Sequence, residues 1–155
     1  MKIKLFVTDV DGTLTDGKIF IGENGEMMKA FCVKDGAALH GLLPEYGIPV
    51  AIITGRESII VSNRAKELGV ELVFQNVKEK LPLLKKLANE RDIMLEEIAY
   101  IGDDINDLEC IKAVGLGACP ADAVEEVKRN AKYISKKRGG VGAVRDFVEY
   151  IISGF

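Results

Sequence analysis

Short apolar runs recur along the chain, and stretches with apolar residues at helical spacing lie between them. The runs Ile3 to Thr8, Val50 to Thr54, Leu72 to Phe74, Ile98 to Ile101 and Gly115 to Cys119 are nearly continuous, the pattern of strands buried on both faces. Ser58 to Leu68, Lys78 to Arg91 and Asp107 to Val114 carry apolar residues three and four apart, and a last helix is predicted from about Gly142 to Ile152. Gly69 and Gly115 follow two of these helices as C-cap candidates. Alternation of this kind predicts βαβ units, hence an α/β fold with a doubly wound parallel sheet and helices on both faces.

One stretch breaks the alternation. Lys18-Ile19-Phe20-Ile21, the turn Gly22-Glu23-Asn24-Gly25 and the run Glu26 to Val33 predict a β-hairpin, an insertion over about residues 17–33. Ile19, Ile21, Met28 and Phe31 give it apolar surface that a two-stranded unit cannot bury alone, so a subunit interface is expected. The alternative, a hairpin folded back on its own domain, stays open.

Composition narrows the function classes. The 155 residues fit one domain over residues 1–155, with room for one full core. A net charge of −3 and a pI near 5.3 offer no general attraction to nucleic acid or an anionic membrane. Lys136-Lys137-Arg138 is too short a basic run to change that. No run approaches the 18 or so apolar residues of a spanning helix, and the N-terminus leaves no room for a signal peptide. Cys32, Cys110 and Cys119 form no Cys-x-x-Cys pair, consistent with reduced, buried thiols, and the expectation is a cytoplasmic protein. His40, the single histidine, is read as a packed or partly exposed residue of a short apolar helix, and no nucleotide-binding fingerprint is present.

The chemistry lies in two acidic clusters that follow apolar runs, Asp9-Val10-Asp11-Gly12-Thr13 and Gly102-Asp103-Asp104-Ile105-Asn106-Asp107. Carboxylates at the ends of two buried strands converge at the carboxyl edge of the sheet, where open α/β folds bind ligands. Three of them within about 5 Å repel by roughly 3 kcal/mol per pair at an effective dielectric of about 20, so a hard divalent cation is the natural partner. Asp9 suits a nucleophile toward phosphorus, and Asp11, two residues on, an acid and base for the leaving alkoxide and the water. Gly12 opens space for backbone amides to approach phosphate, and Thr13 is placed to cap the turn. Thr54 and Gly55 end the second run and suit phosphate oxygens, while Lys80 opens the following helix as a cation for the phosphoryl group. Asp103 is the expected metal ligand; Asp104 and Asp107 are supporting or structural acids.

These four elements, in this order, resemble the haloacid dehalogenase superfamily of phosphatases over essentially the whole chain. The resemblance implies a Rossmann-like fold, Asp9 as nucleophile, Asp11 as acid and base, Thr54 and Lys80 as phosphate binders, and Mg2+ held by Asp9, the Asp11 backbone carbonyl and Asp103. The motifs leave no room for a cap domain, so the site needs another lid, which a neighbouring subunit could supply. Within the superfamily, Asp16-Gly17, the hairpin, Phe31-x-Val33-x-Asp35-Gly36, Thr54-Gly55-Arg56 and Lys137-Arg138-Gly139-Gly140 are similar to the tetrameric 3-deoxy-D-manno-octulosonate 8-phosphate phosphatases. That similarity implies a sugar-acid phosphate as substrate, lipopolysaccharide sugar synthesis as context and a homotetramer as the assembly. Arg56 and Arg64 are candidates for the substrate carboxylate, with Gly55, Phe31, Asp35 and Gly36 around it. Gly139, Gly140 and Arg145 either reach a neighbour's site or form a turn before the last helix.

Two alternatives stand beside this reading. One is a phosphatase for nine-carbon keto-acid phosphates or another small phosphomonoester. The other is a receiver-like phospho-acceptor signalling module, against which the order of the acidic clusters and the presence of Asp11 both count.

Overall fold

The computed structural model describes residues 2–154. Its core is a six-stranded sheet of β1 (Leu5–Thr8), β4 (Val50–Ile53), β5 (Leu72–Phe74), β6 (Ile98–Ile101), β7 (Leu116–Cys119) and β8 (Tyr133–Ile134), and every pairing is parallel. The spatial order is β5-β4-β1-β6-β7-β8. Numbered among themselves in chain order, these strands run 3-2-1-4-5-6, the doubly wound order, and not the 2-1-3-4-5 order of the receiver type. The hairpin, β2 (Phe20–Gly22) and β3 (Gly25–Met28), forms a separate antiparallel pair.

Successive strand residues point to opposite faces, so each buried strand feeds two apolar layers. Phe6, Ile52, Ala99 and Ile101 face one layer, covered by the helical stretch α1 (Val33–Ala37) to α2 (Leu43–Glu45), by α3 (Ile59–Glu67) and by α7 (Ala143–Ile152). Leu5, Val7, Ile53, Ile98 and Tyr100 face the other, covered by α4 (Lys80–Glu90), α5 (Ile105–Ala113) and α6 (Glu125–Asn130). Phe147 of α7 packs 5.7 Å from the Phe6 ring and 5.4 Å from Tyr133, tying the last helix to the central strand and to the sheet edge.

Several expectations need correction. The second hairpin strand ends at Met28, and residue 33, expected in it, opens a helix instead. That helix widens into a π-helical turn over Ala38–Leu42 before α2, where Pro44 has no N–H for the regular ladder. β8 and α6 were not expected; a two-residue strand between Lys132 and Ser135 carries too little apolar pattern to be seen. Gly69 caps α3 in the left-handed region at φ 70°, whereas Gly115 is not left-handed and donates its N–H to the Leu95 carbonyl at 2.9 Å. Cys110 and Cys119 are buried, with thiols pushed up to about 12 and about 11 by burial, but Cys32 is only half-buried. His40 is exposed, its Nδ1 3.0 Å from the Leu68 carbonyl. No helix among the described residues is long and apolar enough to cross a membrane.

Candidate active site

The strand order reverses at β1, and the crevice beside such a point is where doubly wound sheets bind ligands. β1 and β6 run parallel with Thr8 opposite Ile101, so the chain leaves both strands at the same edge. Asp9, the residue after β1, donates its N–H to the Ile101 carbonyl at 3.0 Å, which fixes its backbone against the end of β6. Two residues past β6, Asp103 enters the same space. One carboxylate oxygen from each of Asp9, Asp103 and Asp107 lies within 4.8 Å of the others.

Lys80, at the start of α4, reaches into this cluster with a side chain cut off from solvent. Its Nζ donates to Asp9 Oδ1 at 2.9 Å and to Asp107 Oδ1 at 2.7 Å. Asp107 also accepts the Tyr100 hydroxyl at 2.6 Å on Oδ1, and the N–H groups of Asp103 and Asp104 at 3.1 and 3.3 Å on Oδ2. Its lone pairs are thus largely committed to the protein, and its work is to hold Lys80 and the Asp103 backbone. Asp104 faces outward as the N-cap of α5, accepting the Ile105 N–H at 2.7 Å.

Electrostatics single out the two acids that remain. Burial and the Asp107 charge push Asp9 up to about 6 in spite of Lys80. Burial and the charges of Asp9 and Asp107 push Asp103 up to about 8. Burial alone would drive Lys80 down, yet the two carboxylates outweigh it and hold the ammonium charged. The free donors are therefore all carboxylate oxygen and short of positive charge, which fits a hard divalent cation. Gly12 shapes the same place: its φ is 93°, and a Cβ there would overlap the Asp103 carboxylate. The Thr13 hydroxyl donates to Asp103 Oδ1 at 3.0 Å, and the turn is capped instead by Thr15 Oγ1, which accepts the N–H groups of Gly12 and Gly17 at 3.2 Å each.

The haloacid dehalogenase-like hydrolase family profile matches residues 71–147. The 3-deoxy-D-manno-octulosonate 8-phosphate phosphatases of Yersinia pestis and Escherichia coli K12 are each 39% identical over 150 residues, 97% of this chain and 80% and 79% of theirs. The chain belongs to the 3-deoxy-D-manno-octulosonate 8-phosphate phosphatase family of haloacid dehalogenase-like hydrolases. Among solved structures, the phosphatase of this family from Moraxella catarrhalis, in complex with magnesium ion, phosphate ion and KDO, superposes with a TM-score of 0.94 at 44% identity, covering 97% of this chain and 86% of that one. The cobalt-bound Haemophilus influenzae enzyme gives 0.94 at 38%, covering 98% and 88%.

Family membership leaves the placement of individual residues to the geometry. Thr54 is buried one residue past β4, next to β1 in the sheet, and Gly55 beside it borders Asn106. Asp11 stands apart from the three-acid cluster, its Oδ1 bound to Lys29 Nζ at 2.5 Å. Arg56 is at the surface, 3.4 Å from Glu26 of β3. Arg64 lies elsewhere, its guanidinium 5.5 Å from the centre of the Phe31 ring and its Nη1 2.9 Å from Glu67. Phe31, Asp35, Gly36 and Arg64 surround a small apolar cavity with Val10 and Ile52, between α1, α3 and the sheet. Asp35 is buried there and accepts the Arg145 N–H at 2.9 Å, so it joins α1 to the start of α7 instead of facing the acidic cluster. Gly139 and Gly140 pack on their own chain's residues 12–16, where a Cβ would overlap backbone, and the Gly140 N–H donates to the Thr13 carbonyl at 3.1 Å.

Three participants were missed in the sequence. Tyr100 had a signal: a tyrosine in a wholly buried strand must find a partner for its hydroxyl. Lys29 and Glu26 had none, because their contacts depend on where the hairpin lies.

Proposed function

We propose that this chain is a Mg2+-dependent phosphomonoesterase that hydrolyses 3-deoxy-D-manno-octulosonate 8-phosphate through an aspartyl-phosphate intermediate. The observation that carries the reading is the joint arrangement of Asp9, Lys80 and Asp103 at the switch point, with Asp11 held separately beside them. Asp9, Asp103 and the backbone carbonyl of Asp11 would hold the cation. When bound, it offsets phosphate charge and orients the phosphoryl group.

The protein groups divide the work. A carboxylate oxygen of Asp9 forms a bond to phosphorus as the bond from phosphorus to the sugar oxygen breaks, and Asp11 gives that oxygen its proton. Asp11 then takes a proton from water, whose oxygen bonds to phosphorus, releasing inorganic phosphate and the Asp9 carboxylate. Lys80 stabilises charge on the transferring group while Asp107 and Tyr100 keep it in position. Thr54 and the Gly55 backbone are assigned to phosphate oxygens, and Arg56, at the mouth, to the carboxylate of the sugar acid. The eight-carbon substrate is carried over from the relatives and is supported here by Arg56.

The hairpin's exposed Phe20, Ile21, Met27 and Met28 support a homotetramer in which a neighbour covers the site, in a cytoplasmic enzyme of lipopolysaccharide sugar synthesis. The test is phosphate release with Mg2+ over eight-carbon and nine-carbon keto-acid phosphates, hexose phosphates and nucleotides. Strong preference for the eight-carbon compound is expected; broad weak turnover removes this substrate, and no release above an Asp9→Asn blank removes the phosphatase.

A further inference from the structure

We infer that Lys29 is a positioning residue for the acid/base carboxyl of Asp11, and that Glu26 keeps Lys29 in place; the inference rests on the hydrolytic reading above. Lys29 follows β3, and its side chain is wholly buried, with Nζ 2.5 Å from Asp11 Oδ1 and 3.2 Å from Glu26 Oε2. A lysine gives up its hydration only for close anionic partners, and here both partners are carboxylates near the mouth of the site. Two lysines thus sort four acids: Lys80 lies between Asp9 and Asp107, and Lys29 between Asp11 and Glu26.

The division has a chemical consequence. With an ammonium on Oδ1, the Asp11 carboxyl is fixed in rotation and Oδ2 is left for the proton that the reaction moves. Glu26 accepts from the Ser58 hydroxyl and from Arg56 at 3.4 Å as well, so the hairpin, the Asp11 loop and the loop after β4 are joined by one chain of charged contacts. The hairpin is therefore part of the acid/base apparatus in addition to being an apolar surface.

The need for Asp11's proton depends on the leaving group: a sugar alkoxide requires it, whereas nitrophenolate departs without it. In single-turnover experiments Lys29→Met is expected to slow release of the sugar alcohol about 10- to 100-fold while nitrophenolate release from p-nitrophenyl phosphate stays within about twofold. Lys29→Arg, which restores a cation, should recover most of the alcohol-release rate. Glu26→Gln should show the same split with a smaller loss, and it carries the test should Lys29→Met not fold. Equal loss on both substrates, or no loss on either, overturns the inference. Lack of wild-type turnover on the eight-carbon phosphate counts against the substrate assignment alone, and the split is then read with a sugar phosphate the enzyme does hydrolyse.

Discussion

Lys80 reaches two buried carboxylates from one ammonium, yet Asp9 is still pushed up to about 6 and Asp103 to about 8, because burial and mutual repulsion exceed what one cation offsets. This imbalance predicts a pH dependence for the metal-free protein. Both acids keep protons in the folded state at pH values where the unfolded chain, near 3.8, has lost them. Their contribution to stability is complete below the unfolded value and is lost as pH rises through about 6 and then about 8. Urea unfolding in chelator should show this part of the stability falling between about pH 5 and 8, and Mg2+, which binds only the deprotonated acids, should restore it increasingly toward the alkaline end. A chelated protein whose stability rises over that range would contradict the account. The acids were legible in the sequence because each follows an apolar run, which puts it at a strand end whatever the details of packing. Lys29 and Glu26 were not, since nothing local to the hairpin says which loop it meets.

At the scale of elements, the turn after β1 is the piece on which the site depends. Gly12 at φ 93° lets Asp103 come against the turn, and Gly139 lets the segment before α7 lie on the Gly12 and Thr15 backbone. Gly12→Ala forces a side chain into a conformation that costs about 1–3 kcal/mol and into the space of the Asp103 carboxylate. Its expected result is a lower melting temperature together with at least about tenfold weaker Mg2+ binding, each 1.4 kcal/mol of lost binding being tenfold. Loss of stability with unchanged Mg2+ affinity would separate Gly12 from the metal site. The buried strands β1, β4, β6 and β7 were readable since their apolar runs survive any choice of neighbours. β8 gains its place only by pairing with β7, and the strand expected to reach residue 33 ends at Met28, just before Lys29, whose ammonium meets Asp11.

For the whole molecule, a parallel sheet in the doubly wound order brings residues far apart in the chain to one edge, and the family relationship says what such an edge is used for. The order 3-2-1-4-5-6 of the core strands also separates this chain from a signalling module, whose phosphoryl group has to persist. Among the described residues the hairpin leaves Phe20, Ile21, Met27 and Met28 exposed. The most direct test of the account is to mix Asp11→Asn with Mg2+ and p-nitrophenyl phosphate, whose leaving group departs without the Asp11 proton, quench in acid and locate the phosphoryl group by peptide mass spectrometry. The account predicts phosphate carried on Asp9, accumulated because the step that needs Asp11 as base is slowed about 100-fold or more. A phosphoryl group on another residue, or turnover that survives Asp9→Asn, would contradict it.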